Sequence, residues 1–328
     1  MRRLIAISEA FPLARPFRIS RGVKVVADVV TVAIEQDGCT GRGEGAPYPR
    51  YGESVETALA AIAAASDAIE DGATRCELQS LMPAGAARNA VDCALWDLEA
   101  RRSGTSVGET LGTPARARMP TAMTIGIDTP ASMAEAATVL RNVPLLKVKV
   151  DREQIEERLR AVRTAAPDPR MIVDPNESWV VNDIEKLMPL LVELRVDLLE
   201  QPVPADDDAG LANLSPAIPI AADEAMHTRD DLDRLAGKYQ VINIKLDKTG
   251  GLTEAQALAD AAQAHGFGLM MGCMISTSLS IAPAWHIAAR SVFADLDGPL
   301  WLSQDRAGGF VAEDGSLCHT AAGFWGDC

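Results

Sequence analysis

Lys147, Lys149, Asp174, Glu200, Asp223 and Lys245 are the residues of this chain whose types and spacing could do chemistry. They close short apolar runs at Leu145–Lys149, 171–174, 196–200, 220–223 and 241–245, and from Lys149 onward the closing residues stand 25, 26, 23 and 22 positions apart. Three carboxylates form a hard-oxygen set that suits Mg2+, a cation that keeps positions open for water or substrate oxygens. Side chains alternate along a strand, so Lys147 and Lys149 point the same way. Two ammonium groups that close, beside a divalent cation, are expected to depress each other's pKa toward the range of a base at neutral pH. Lys245 is expected to face Lys149. One lysine on each face of a bound carbon acid is what an epimerisation needs. One takes the proton, the other delivers a proton to the opposite face, and the metal stabilises the enolate between the two steps. Any one of these carboxylates alone reads equally well as a helix cap or loop charge; the regular repetition carries the argument.

A repeat of that length is one strand, one helix and two loops. Chemistry on the last residue of each strand describes a β/α barrel with its site at the C-terminal face. The first barrel strand is expected near residues 120–125. A seventh is expected at 269–273 and an eighth at 292–295, with helices such as 253–264 between them. Asp295 and Asp297 share a direction if the last strand runs that far. The first 113 residues differ. The β-branched run VVADVVTVAI and the Asp37-Gly38 turn signal predict an antiparallel meander with the opening strand and the segment ending near Gly43. Helices are predicted at Val55–Glu70 and 86–102, the second burying Val91, Ala94, Leu95 and Leu98 on one face. Gly104 and Gly112-Thr113-Pro114 then break the chain. The organisation expected is an α+β module over 1–113, a barrel over 114–302, and a segment over 303–328 that packs back on the first module.

The chain of 328 residues is 48% hydrophobic, enough for a large core, and its net charge of −15 argues against nucleic acid or an anionic membrane as partner. No apolar run is long enough to span a membrane, and the start reads as a strand and not as a signal peptide, so a cytoplasmic protein is expected. Six scattered cysteines without a repeated CxxC spacing read as reduced thiols.

The segments Lys147-Val148-Lys149, Val173-Asp174-Pro175-Asn176-Glu177, Leu199-Glu200-Gln201-Pro202, Ala222-Asp223-Glu224 and Asn243-Ile244-Lys245 resemble the enolase superfamily, muconate-lactonizing subgroup. That superfamily is itself a standard example of Lys or His bases working with Mg2+. Within the subgroup the chain is most similar to the dipeptide epimerases, through PYPRYGES at 47–54, PAGAARNA at 83–90, IKLDKTGG at 244–251 and Gly272-Cys273-Met274. The resemblance implies an α/β fold, a modified TIM barrel (β/α)7β with an N-terminal α+β capping domain. It implies one Mg2+ per subunit on Asp174, Glu200 and Asp223, with Lys149 and Lys245 as the acid/bases and Lys147 at the substrate carboxylate. It also implies that Asp295 and Asp297 hold the free ammonium of a dipeptide, which suits the chemistry of two carboxylates. Thr124 and the backbone of Cys273, Met274 and Ile275 would make further contacts. A mobile loop over 17–24 would close on the site, with Arg21 or Lys24 reading a Glu side chain. The implied reaction is L-Ala-D-Glu to L-Ala-L-Glu in murein peptide recycling, and a homo-oligomer is compatible with it.

Lys248, in the loop after Lys245, is expected to be structural or a charge partner. His227 is expected to cap the next helix; His265, His286 and His319 show no partner pattern. Two other readings compete. A lyase or cycloisomerase, of the o-succinylbenzoate synthase or muconate cycloisomerase kind, uses the same metal and lysines, and fold alone does not exclude it. Asp295 and Asp297 oppose it, since they repel an anionic substrate without an amine. A non-catalytic metal- or peptide-binding protein has no use for a proton carrier on each face.

Overall fold

The computed structural model describes residues 2–113 and 116–327. The domain boundary expected at residue 114 falls on Pro114 and Ala115, which lie outside the described residues, as does Cys328.

The chain opens with an antiparallel meander of β1 (Arg3–Ile19), β2 (Gly22–Gln36) and β3 (Cys39–Gly45). The second hairpin turns on Asp37 and Gly38, both at positive φ (53° and 80°), the conformation that a two-residue hairpin turn demands. Helices Val55–Glu70 and Ala86–Ser103 pack on this sheet, and Val91, Ala94, Leu95 and Leu98 are buried with Val30, Val32 and Ile34. The approach of the second helix is very close. A Cβ placed on Gly41, Gly43 or Gly45 would stand 2.2, 2.1 and 2.1 Å from the carbonyl oxygens of Ala94, Ala90 and Ala86. Glycine at every second strand position thus meets alanine at every fourth helix position, and one periodicity locks into the other.

After β4 (Arg118–Pro120) come eight parallel strands in chain order: β5 (Met123–Ile125), β6 (Leu145–Lys149), β7 (Arg170–Asp174), β8 (Leu198–Glu200), β9 (Ile220–Ala222), β10 (Val241–Ile244), β11 (Gly268–Met271) and β12 (Phe293–Ala294). The ring closes where the Ala122 N–H donates to the Ala294 carbonyl at 2.8 Å. The fold is the modified TIM barrel that the resemblance implies. The expected first strand divides in two. Residues 118–120 leave the barrel and pair instead with β14 (Ser316–Cys318), whose other neighbour is β13 (Val311–Glu313). The tail then reaches the first module, where Trp325 Nε1 donates to the carbonyls of Arg42 and Cys93.

Alternation along the strands positions the site. Leu145, Ile172, Leu198, Ala221, Val241, Met270, Phe293 and Ala122 form one buried apolar cluster, a plug inside the barrel. Two residues on from that layer stand Lys147, Asp174, Glu200, Asp223, Asn243, Asp295 and Thr124, on the same inward side. Lys149 and Lys245 occupy the next inward position. The outward residues, among them Val148, Val173, Leu199 and Ile244, belong to the larger core under the helices.

Candidate active site

A cavity of about 590 Å³ opens at the C-terminal ends of the strands, beneath the β1–β2 hairpin. Thr124, Lys147, Lys149, Asp223, Lys245, Cys273, Met274, Ile275, Asp295, Asp297 and Arg21 all line it, together with Lys24, Tyr48, Asn176, Glu224 and Trp301. Lys149 and Lys245 extend from strands four apart in a ring of eight, so they stand on opposite walls.

The floor is a network of buried charge. Lys147 Nζ lies 2.9 and 2.7 Å from the two Glu200 oxygens, 2.7 Å from Asp295 and 3.1 Å from Asp174. Lys149 Nζ donates to Asp174 at 2.5 Å and Lys245 Nζ to Asp223 at 2.7 Å. Lys248 Nζ donates to the other Asp223 oxygen at 2.7 Å and to the Asn243 carbonyl at 2.9 Å, the charge-partner role expected of it, at a fully buried position. In this arrangement Lys147 is not depressed as expected. Burial alone would lower Lys147 and Lys245, but the carboxylates overcome it: Asp295 and Glu200 raise Lys147, and Asp223 raises Lys245.

Among the described residues no three or more His, Cys, Asp or Glu side chains converge as a ready cation site. The ammonium groups fill the space between Asp174, Glu200 and Asp223. The carboxylates nonetheless fit a divalent cation by their chemistry. All three are at most 1% exposed and stand on neighbouring strands. Burial and the neighbouring Asp174 push Glu200 up to about 8, and its Oε2 accepts no well-aligned hydrogen bond. Glu200 thus has room for a further positive partner beside Lys147, and three buried carboxylates on neighbouring strands form a hard-oxygen set that suits Mg2+. Asp174 differs: the Lys149 and Lys147 ammonium groups outweigh its burial and bring it to about 2.

Asp295 and Asp297 stand at the eighth strand, Asp295 beside the same Lys147. Asp297 accepts from the Thr124 N–H at 2.8 Å and from Trp301 Nε1 at 3.2 Å; burial and the adjacent Asp295 push it up to about 6. Asp295 Oδ2 takes Lys147, while its Oδ1 is buried with no hydrogen-bond partner among the described residues. A cationic donor would satisfy that atom.

The expected loop at 17–24 is ordered as the end of a hairpin. Phe17 pairs with Lys24 and Ile19 with Gly22, so only Ser20 and Arg21 form the turn. Phe17 lies edge-on to Trp301 with ring centroids 4.5 Å apart. His227 does not cap the next helix; Thr228 stands at that position, and Asp231 accepts from the backbone N–H groups of both residues. Sequence reasoning also passed over Asn243, whose Nδ2 donates to Glu200 at 2.9 Å, and Gln201, whose Oε1 accepts from the Asp223 and Ala225 N–H groups and so sets the turn that carries Asp223. It passed over Glu224 and Glu177 as well. Asn243 had a usable signal: it lies two residues before Lys245 on the same strand face.

Comparison with known proteins follows from this geometry. Residues 131–320 match the family "Enolase C-terminal domain-like", and residues 1–112 match "Mandelate racemase / muconate lactonizing enzyme, N-terminal domain". The L-Ala-D/L-Glu epimerase of Escherichia coli is 50% identical over 93% of this chain and 96% of its own length. An N-acetyl-D-glutamate racemase from Pseudoalteromonas is 44% identical over 91% of this chain and 95% of its own. Among solved structures, an Agrobacterium tumefaciens enolase family member with homology to dipeptide epimerases, with sodium and L-Ala-L-Glu bound and its loop ordered, superposes with a TM-score of 0.97 at 48% identity, covering 99% of this chain and 100% of that one. A Methylococcus capsulatus dipeptide epimerase complexed with Mg and L-Arg-D-Lys superposes at 0.89 and 37% identity, covering 97% and 96%.

Proposed function

This chain belongs to the mandelate racemase/muconate lactonizing enzyme family of the enolase superfamily, among its dipeptide epimerases, and on that premise we propose a specific reaction: epimerisation at Cα of the C-terminal residue of L-Ala-D-Glu, giving L-Ala-L-Glu. The protein is an isomerase. The Escherichia coli relative carries the name of this activity, and the Agrobacterium tumefaciens neighbour holds L-Ala-L-Glu, which supports the choice of substrate. Murein peptides supply such a dipeptide, so the enzyme serves their recycling in the cytoplasm.

One observation carries the mechanism: Lys149 and Lys245 reach into one cavity from opposite walls. The dipeptide lies between them with its ammonium at Asp295 Oδ1 and Asp297. The backbone of Cys273, Met274 and Ile275, and Thr124, border its length. Lys147 approaches the terminal carboxylate. Asp174, Glu200 and Asp223 would hold Mg2+, which when bound supplies positive charge to carboxylate oxygens of the substrate. One lysine, in its neutral form, takes the Cα proton from its own face. The other, as ammonium, donates a proton to the opposite face. Reversing the roles runs the reaction backwards. The burial of Lys147, Lys149 and Lys245 keeps water from competing for either proton.

The lyase and cycloisomerase reading is disfavoured. The Escherichia coli and Pseudoalteromonas relatives are an epimerase and a racemase, and a substrate without an amine leaves Asp295 Oδ1 unsatisfied. The test is ¹H NMR in D2O with Mg2+, on L-Ala-D-Glu, L-Ala-L-Glu and N-acetyl-D-Glu. Loss of the Glu α-proton with interconversion of both dipeptides, and slower exchange of the N-acetyl compound, is the expected result. Exchange of the N-acetyl compound alone would transfer the assignment to N-acylamino acid racemisation, and no exchange at all would refute it.

A further inference from the structure

Gly41, Gly43 and Gly45 of β3 face the helix Ala86–Ser103, so Glu44, between the last two, points from the other side of the sheet. Its side chain is fully buried, and its charged and hydroxyl partners come from the other two parts of the chain. Glu44 Oε1 accepts from the Thr277 N–H at 2.8 Å, and Oε2 accepts from the Thr277 hydroxyl. Thr277 caps the helix Ser278–Ala288 by accepting from the Leu279 N–H at 3.2 Å. Arg306, in the tail, donates through Nε to the Thr277 hydroxyl at 2.8 Å and through Nη2 to Glu44 at 2.9 Å. The same Nη2 reaches Glu9 at 2.6 Å and Thr31, the strand neighbour of Glu44, at 2.8 Å. Glu9, Thr31 and Glu44 belong to the meander, Thr277 to the barrel and Arg306 to the tail. One buried carboxylate therefore ties all three together at a helix N-terminus, where the backbone dipoles favour negative charge.

This joint lies directly after a segment that borders the cavity. Cys273, Met274 and Ile275 line the cavity, and Ser276 and Thr277, next in the chain, are fully buried. The middle of the segment is held without the joint. A Cβ on Gly298 would stand 2.6 Å from the Met274 carbonyl oxygen, and Ser276 Oγ donates to the same atom at 3.1 Å. The downstream end is fixed at Thr277, and Thr277 is fixed by Glu44 and Arg306. We propose that Glu44 and Arg306 are positioning residues, which set the place of the Cys273–Ile275 backbone through Thr277 without touching the substrate. That this backbone bears on a dipeptide rests on the proposed reaction; the joint itself does not. Loss of either member leaves a buried charge or donor unmatched beside Thr277.

Two measurements test this. The first uses the protein without substrate: amide hydrogen exchange in wild type, Glu44→Gln, Arg306→Met, Thr277→Val and Thr277→Ser. Glu44→Gln, Arg306→Met and Thr277→Val should each speed exchange over residues 273–280 by about ten-fold or more, and leave residues 241–244 of β10 unchanged. Thr277→Ser, which keeps the hydroxyl, should stay near wild type. The two Thr277 variants retain both charges, so the test survives a charge variant that does not fold. The second measurement is the kinetics of L-Ala-D-Glu. Glu44→Gln and Thr277→Val should raise KM by about ten-fold and leave kcat within about two-fold of wild type, the pattern of a contact shared by ground state and transition state. Unchanged exchange over 273–280 in folded Thr277→Val overturns the joint, and so does an equal acceleration that includes 241–244. Local loosening with KM unchanged overturns its bearing on the substrate, whatever happens to kcat. If wild type leaves L-Ala-D-Glu unaltered, the proposed reaction fails, and the exchange measurement still decides the joint.

Discussion

The barrel floor and the hairpin tip are both clusters of carboxylates around basic side chains, yet they are assembled in different ways. On the floor, Lys245 and Asp223 are 22 residues apart, Lys149 and Asp174 are 25, and Lys147 and Glu200 are 53. Their directions follow from strand alternation above a common apolar layer. At the tip, Arg21 meets Asn176 and Glu224 across 155 and 203 residues, and every partner sits in a loop. The floor is a product of repetition. The tip exists only because two modules dock, so its charges have no meaning until the docking is known. The floor accordingly holds the residues proposed for the chemistry, and the tip lies over the cavity that they line.

The largest effect should come from the floor. Lys149→Ala and Lys245→Ala should each cost at least about 10²–10⁴ in epimerisation rate, the span typical of a lost general acid or base. Each should also confine solvent exchange of the α-proton to one epimer, read by ¹H NMR in D2O. Near-normal turnover in both directions by either variant would break the two-base scheme. Metal removal should come next. Chelation should abolish activity and added Mg2+ restore it, and Mg2+ should raise the melting temperature of wild type but not of Glu200→Gln. Full activity in thoroughly chelated enzyme would sink the assignment of the three carboxylates.

A smaller effect should separate the eighth-strand carboxylates from the rest of the floor. Asp295→Asn should weaken kcat/KM for the dipeptide by about 2 kcal/mol, roughly 30-fold, because a paired charge is lost, and should spare N-acetyl-D-Glu relative to it. Equal losses on both compounds would show that Asp295 acts through Lys147 and not on an ammonium. An effect on stability and not on turnover lies where the modules meet. Asp247 is buried, accepts from the Ala46 N–H and from Asn89, and is raised by burial from 3.8 to about 7. Its carboxyl holds a proton more tightly folded than unfolded, so it favours the folded state below pH 3.8 and that contribution is lost as pH rises to about 7. Asp247→Asn should therefore flatten the fall in stability across that window by a few kcal/mol at most. Denaturant titrations at pH 4, 5.5 and 7 check this, and parallel pH profiles for variant and wild type would refute it.

Much of the molecule is legible without coordinates because periodicity fixes direction. A strand that ends in Lys-Val-Lys or Val-Asp, repeated at one strand-plus-helix interval, commits its polar end to one side of a barrel. The Val55–Glu70 helix and the Asp37-Gly38 turn follow from local chemistry in the same way. Other features depend on distance across the fold. Pro120 looks like the start of a barrel strand, but it belongs to β4, which the tail pairs with outside the ring. Lys147 looks poised for a low pKa, yet Asp295 and Glu200 beside it raise it against its burial, since the sign of the shift depends on which charges stand nearest. By itself, then, the sequence determined the barrel, the identity of its inward charges and the class of chemistry they suit, because those rest on alternation and spacing within the chain. Only the tertiary structure decided which carboxylates Arg21 meets at the hairpin, because a charge 203 residues away in sequence becomes a neighbour at 2.6 Å only when the two modules close on each other.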